Sequence, residues 1–324
     1  MNIKFFKDLD INDTYSPCDL DNSVSVFKSI NNIFYLIYTT RNFSIISYDI
    51  VHERKINEIN NSHNNEIFNL KHYLDKINQR DLLLSISKFS LKVWSIKNFE
   101  CIIKINYSNE KFISSACLLS DINQYYIIVK YYLYPYYQDP LLVFNFEGKK
   151  IKEIKNSLGE PCFIDIYYDN KYTKYYIITG NKGYIKAFDY NKNELYKIFD
   201  NKYYGDYNIS VVINEKENLV QLISSCTSGS LVIWNFHTGE FLKEIKIMGV
   251  LFGICLWNEN YLFVGGSDHS IHLIDLNKGE EIKVLNGHEN YVINVKKIYL
   301  PGNGEFLISF GQENDKIKLW IYEK

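Results

Sequence analysis

Seven bulky residues recur at one register along this chain, and no other feature restricts the fold as much. Tyr48, Trp94, Phe144, Phe188, Trp234, Ile274 and Trp320 each close a short apolar run, at successive intervals of 46, 50, 44, 46, 40 and 46 residues. Three residues before each anchor stands an aliphatic: Ile45, Leu91, Leu141, Ile185, Leu231, Ile271 and Ile317. Ten or eleven residues after it, six units end a further run, at Ile59, Ile105, Ile154, Ile198, Ile245 and Leu285. An earlier run precedes each anchor too: YLI, LLL, YII, YII, VQLI, YLF and FLI, beginning at 35, 82, 126, 176, 220, 261 and 306.

One unit shows the local logic. Between Ser62 and Ile105, four apolar runs (Ile67–Leu70, Leu82–Ser85, Leu91–Trp94 and Cys101–Ile105) alternate with polar or turn-forming residues. Runs this short and this close are strands of an antiparallel meander, because helices need longer periodic segments. The abundance of Tyr (28) and Phe (20) beside few Pro (5) suits strands. Four strands in about 40–45 residues make one blade of a propeller. The expected fold is therefore all-β: a seven-bladed β-propeller of four-stranded antiparallel blades, a single body over residues 1–324. Its blades fall at about 23–59, 62–105, 109–154, 160–199, 205–247, 250–286 and 288–322. After Trp320 only four residues remain, too few for a fourth strand. The spare run Asn2–Phe6, followed by a polar linker over 8–21, is expected to supply that strand to the last blade. It would also cover an edge that otherwise invites aggregation.

These units resemble WD40 repeats over nearly the whole chain. Gly287-His288 matches the family's Gly-His pair, and Ser62-His63 is a weaker version. Trp94-Ser95, Trp234-Asn235 and Trp320-Ile321 stand where the Trp-Asp pair belongs, while Tyr48-Asp49, Phe188-Asp189 and Ile274-Asp275 keep only the Asp. Phe144-Asn145 keeps neither. The resemblance implies a His–Ser–Asp–Trp hydrogen-bonded tetrad that stiffens a blade. In blade 2 this falls on His63, Ser85 and Trp94, with Lys88 in the Asp position. In blade 7 it falls on His288, Ser309 and Trp320, with Asn314 or Asp315 in fourth place; blade 6 keeps Asp268 alone.

Binding is expected on the face shared by the b–c hairpins and the blade-to-blade linkers. Blade 3 has 18 residues between its second run and its anchor where blade 2 has 12, and the excess is YYLYPYYQD. This places Tyr131, Tyr132, Tyr134, Tyr136 and Tyr137 as candidate partner-binding residues, with Tyr203 and Tyr204 on the linker into blade 5. Tyrosines bury large area at low entropic cost, which suits protein recognition; packing back onto blade 3 is the competing reading. Arg41, in the blade 1 b–c turn, is a candidate anchor for an acidic partner. The Lys-rich run at 148–155 reads as an outer strand.

Several classes are disfavoured. A net charge of −2 gives no field for nucleic acid or an anionic membrane. The six cysteines lack CxxC spacing, and His269 with His272 lacks a third ligand, so neither a metal nor a cofactor is expected. No Ser elbow, phosphate-cradling Gly loop or recurrent His–acid cluster marks an enzyme. The outer-strand text GEFLKEIKIMG lacks the Arg pair of phosphoinositide-binding relatives of the family. The N-terminus lacks a signal-peptide run, so an intracellular setting, cytoplasmic or else nuclear, is expected. Fold-level analogy then points to a non-catalytic scaffold, itself monomeric, docking other proteins within a larger complex. A substrate-recruiting adaptor of a ubiquitin ligase is a subtype of that role.

Overall fold

A computed structural model of the chain describes residues 2–9, 11, 23–107, 112–121, 124–132, 140–155, 163–200, 207–302, 304–312 and 315–323, all but the side chain of Tyr132. Among the described residues there are 28 β-strands and no helix. Strand β1 (Asn2–Leu9) is followed by six consecutive meanders. These are β2–β5 (Val24–Lys28, Phe34–Thr39, Ile45–Asp49, Arg54–Ile59), β6–β9 (Ile67–Asp75, Arg80–Ser87, Ser90–Ser95, Glu100–Asn106) and β10–β13 (Phe112–Ser120, Tyr125–Tyr132, Leu141–Asn145, Lys150–Ile154). Then come β14–β17 (Phe163–Asp169, Lys174–Gly180, Tyr184–Asp189, Glu194–Asp200), β18–β21 (Asn208–Lys216, Leu219–Cys226, Ser230–Asn235, Phe241–Lys246) and β22–β25 (Leu251–Asn258, Tyr261–Gly266, Ser270–Asp275, Glu280–Asn286). The last sheet is β26 (Val292–Leu300), β27 (Gly304–Gly311) and β28 (Ile317–Glu323), with β1 antiparallel to β28 as its fourth strand. Seven such sheets are the blades of the expected β-propeller, and the first strand completes the last blade.

By their internal contacts the strands fall into two compact units, residues 1–60 with 209–324, and residues 61–208. In each, the core lies between successive sheets. In the first unit Leu36, Tyr38 and Ile46 of one blade pack with Phe306, Ile308 and Leu319 of another. In the second, Leu82, Leu84 and Val93 pack with Ile127 and Val129. The two middle strands of a blade are therefore buried on both faces and read as continuous apolar runs, while the outer strand keeps one wet face. A fully buried aliphatic of this kind contributes about 1.5–3 kcal/mol.

The anchors owe their regularity to a bulge. In six meanders the ladder between third and fourth strands slips by one residue at the anchor, so that the register steps over Ile56, Ile102, Ile151, Tyr196, Leu242 and Ile282. In the last blade β1 slips at the same place, between Phe5 and Lys7, opposite Trp320 and Leu319. A strand from the far end of the chain thus reproduces the same local geometry. Bulges raise twist and spoil an edge for foreign strands. The bulge also carries β1 past the expected end at Phe6 to Leu9, which is buried among Val24, Phe306 and Leu319.

The residue after five of the anchors has a separate task. Asp49, Asn145, Asp189, Asn235 and Asp275 each turn a side-chain oxygen back to accept backbone N–H groups of the following turn. Such side-chain caps nucleate tight turns. Trp320 is followed by Ile321 because no turn follows there: β1, not the next segment, provides the fourth strand.

Candidate functional site

Three residues of blade 2 interlock as the resemblance implied. Trp94 Nε1 donates to Ser85 Oγ at 2.8 Å, and His63 Nε2 lies 2.7 Å from the same oxygen. The fourth partner differs from expectation. Lys88 turns away, its ammonium 4.3 Å from the Phe112 ring centroid, and Ser90 Oγ faces His63 Nδ1 at 2.6 Å. Ser90 is tied in turn to Ser87 Oγ at 2.9 Å. Burial first, then the ammoniums of Lys92 and Lys104, push the His63 imidazole down to about 3.

Blade 7 holds the complete set. Trp320 Nε1 donates to Ser309 Oγ at 2.8 Å, His288 Nε2 lies 2.6 Å from that oxygen, and Nδ1 lies 2.8 Å from Asp315 Oδ2. Asp315, not Asn314, is therefore the acid; Asn314 lies outside the described residues. The same Oδ2 accepts the amides of Glu289 (3.1 Å) and Asn290 (3.2 Å). Burial raises the Asp315 carboxyl, but the hydrogen bond and charge of His288, then the Asn290 and Lys316 amides, outweigh it and hold the group below its ordinary range. Both histidines are buried and committed to structure. In blade 6 Asp268 meets no such set: it faces His272 Nε2 at 3.1 Å, while Glu281 takes Nδ1 at 2.6 Å.

Of the candidate tyrosines, Tyr131 needs correction, toward the competing reading of inward packing. Tyr131 is not an exposed loop residue: β11 continues through it, it is 2% exposed, and its ring centroid lies 4.4 Å from that of Tyr107. Its strand position faces the core between blades 2 and 3, where an aromatic ring fills space. Tyr134, Tyr136, Tyr137, Tyr203 and Tyr204 lie outside the described residues, as does the side chain of Tyr132. Arg41 is exposed in its predicted turn. The Lys-rich run forms outer strand β13, with Lys152 Nζ 3.5 Å over the Tyr190 ring. Of the cysteines, Cys117, Cys226 and Cys255 are buried free thiols, and burial pushes Cys117 up to about 12.

On the face of the b–c hairpins and linkers the first unit shows a feature that sequence patterning passed over. The linker Ile247–Val250 joins blades 5 and 6. Ile247 N donates to Gly229 O (2.8 Å), Val250 N donates to Ser267 Oγ (2.9 Å), and Ser267 N returns a bond to Val250 O (2.9 Å). Gly229 must be glycine: a Cβ there would stand 2.5 Å from the carbonyl oxygens of Ile247 and Gly249. Gly249 adopts φ +84°, and a Cβ there would meet Ser267 Oγ at 2.7 Å. Pinned on both sides, this turn holds out Met248, 81% exposed. Beside it, across Ser267, His269 sits at φ +68°, its ring 5.7 Å from Tyr291. Tyr291, 40% exposed, stacks on buried Phe252 at 6.0 Å. A lone Met carries no period to detect; the only hint was its place between two apolar runs and before a Gly.

Among the described residues no three His, Cys, Asp or Glu side chains are grouped to hold a metal ion, and no helix is long and apolar enough to cross a membrane. Compared with known proteins, the chain matches no family model and no curated sequence.

Proposed function

We propose that this chain is a non-catalytic interaction scaffold of the WD-repeat type, docking partner proteins on its hairpin-and-linker rim within a larger complex. One observation carries the reading. The Ile247–Val250 turn is fixed by backbone and hydroxyl bonds on both sides, yet presents a long apolar side chain to solvent. A pre-ordered turn loses little entropy on association, so apolar area covered there converts efficiently into affinity. The two His–Ser pairs, the arrangement nearest to a nucleophile with its base, are closed in beneath Trp94 and Trp320 and serve blade rigidity instead.

Chemical cross-linking of tagged full-length chain in its native extract, read by mass spectrometry, tests the proposal. Inter-protein links should concentrate near rim positions 40–44, 247–250, 267–269 and 287–291. A chain that runs alone in that extract, or links confined to the outer strands, would overturn it.

A further inference from the structure

The chemistry of the rim around Met248 narrows what can cover it. Three turns meet there within the first unit: residues 247–250, 267–269 and 287–291. They carry two carboxylates, Asp268 and Glu289, and no Lys or Arg. Both acids are exposed. The nearest lysine in sequence, Lys246, is ion-paired to Glu244 at 3.0 Å. Asp268 is fixed by His272 and by the Ser270 amide at 3.2 Å, and Glu289 rides on a backbone amide held by Asp315. An apolar side chain and an aromatic ring thus stand on rigid supports, with an exposed carboxylate on each of the two neighbouring turns.

We infer that this patch docks a basic, apolar segment of a partner protein, an extended or helical stretch whose aliphatic side chain covers Met248 and whose Lys or Arg side chains reach Asp268 and Glu289. The inference rests on the scaffold reading and names the partner's chemistry at that rim. The thioether side chain adapts to differently shaped aliphatic partners. Tyr291 and His269 offer ring faces on which a guanidinium stacks. The carboxylates select sign: an acidic segment meets repulsion in the place where a basic one gains attraction. Because these charges are exposed, they govern association rate and salt dependence more than depth of affinity.

The chain contains only two methionines, Met1 and Met248, so methyl-13C methionine labelling gives a direct reporter of the patch. The full chain is titrated with two synthetic 12-residue peptides of equal leucine content, one carrying Arg at its polar positions and the other Glu. The Arg peptide should shift the Met248 methyl resonance, and the Glu peptide should not. Glu289→Lys should weaken the Arg peptide roughly ten-fold, the scale of a rim charge contact turned to repulsion. Raising salt from 50 to 500 mM should weaken it by a similar factor. Met248→Ser, at a position open to water, should abolish binding of a fluorescently labelled Arg peptide, read by anisotropy because the reporter methyl is gone, while leaving the remaining spectrum and the melting temperature unchanged. Equal shifts with both peptides, none with either, or indifference to Glu289→Lys would overturn the inference. Rim cross-links to partners that persist in the Met248→Ser chain would overturn it while leaving the scaffold reading intact.

Discussion

Blades 2 and 7 solve one problem with different groups. Each sets a tryptophan indole against a serine hydroxyl and that hydroxyl against a histidine, with nearly equal distances. They part at the imidazole's other nitrogen. Blade 7 offers Asp315, a carboxylate that also gathers the amides of Glu289 and Asn290. Blade 2 offers Ser90, a hydroxyl bound to His63 and Ser87. The carboxylate therefore couples the blade's interior to the linker that shapes the rim, whereas the hydroxyl completes the interior alone. Blade 7 also has a debt that blade 2 lacks, because its fourth strand arrives from the other end of the chain.

That debt gives the largest expected effect. Removing residues 1–9 takes Ile3 and Leu9 out of the cores on either side of blade 7, unpairs Lys318 from Asp8, and strips the ladder from β28. Two buried aliphatics alone are worth about 3–6 kcal/mol. The melting temperature should fall by roughly 10 °C or more. Native-state hydrogen exchange should show protection lost first at Phe306–Ser309 and Ile317–Trp320, with Ser85 and Trp94 amides of blade 2 kept. Equal loss in both blades would erase the contrast.

Next in size is the fourth partner itself. Asp315→Ala takes the acceptor from a buried imidazole and from the amides of Glu289, Asn290 and Lys316, at a cost of about 2–4 kcal/mol. Ser90→Ala removes two neutral contacts, to His63 and to Ser87, and should cost about 1–2 kcal/mol. Urea midpoints of the two variants measure the difference. Asp315→Ala should also shift the amide resonances of Glu289 and Asn290, since they lose their acceptor. Equal costs would mean that the carboxylate does no more than the hydroxyl.

The anchors were legible because a bulky side chain must fill the space between neighbouring sheets once per blade, whatever its identity. The residue after an anchor was legible only as a match to the Trp-Asp pair; that it offers a side-chain oxygen to the turn beyond it shows only in the bonds of Asp49, Asn145, Asp189, Asn235 and Asp275. Other features depend on partners far away in sequence. Lys7 and Asp8 read as the end of a strand, yet they extend β1 because Glu53, Lys316 and Lys318 receive them. Ser90 was missed because the reach of a short hydroxyl depends on how the b–c turn folds, and counting from Trp94 pointed to Lys88. Tyr131 was misread because a tyrosine ending a strand and one opening a loop look alike in text. Met248 belongs to no repeat position; its meaning comes from Gly229 and Ser267, neighbours supplied by other hairpins.

The smallest effect separates the two blades by acid. His63 is held down to about 3 by burial and by Lys92 and Lys104, whereas histidine in the unfolded chain titrates near about 6.5. Below that pH the unfolded chain takes up a proton that folded blade 2 refuses, so stability present above about 6.5 drains away as pH falls toward 3. The slope is about 1.4 kcal/mol per pH unit, or about 2 kcal/mol by pH 5. Asp315 behaves otherwise: its carboxyl is lowered, so its contribution is full above the ordinary carboxyl value and is lost only at more acid pH. Between pH 6.5 and 4, hydrogen-exchange protection factors should therefore fall at Ser85 and Trp94 before they do at Ser309 and Trp320. Ser90→Asp sharpens the test by giving blade 2 the group that blade 7 has. A carboxylate against Nδ1, with Lys92 and Lys104 nearby to favour its charge, should raise the imidazole's affinity for a proton and cut the loss at pH 5 to below about 1 kcal/mol. If that variant keeps the full slope, another group is responsible for the acid sensitivity, and the two blades differ in composition but not in how protons act on them.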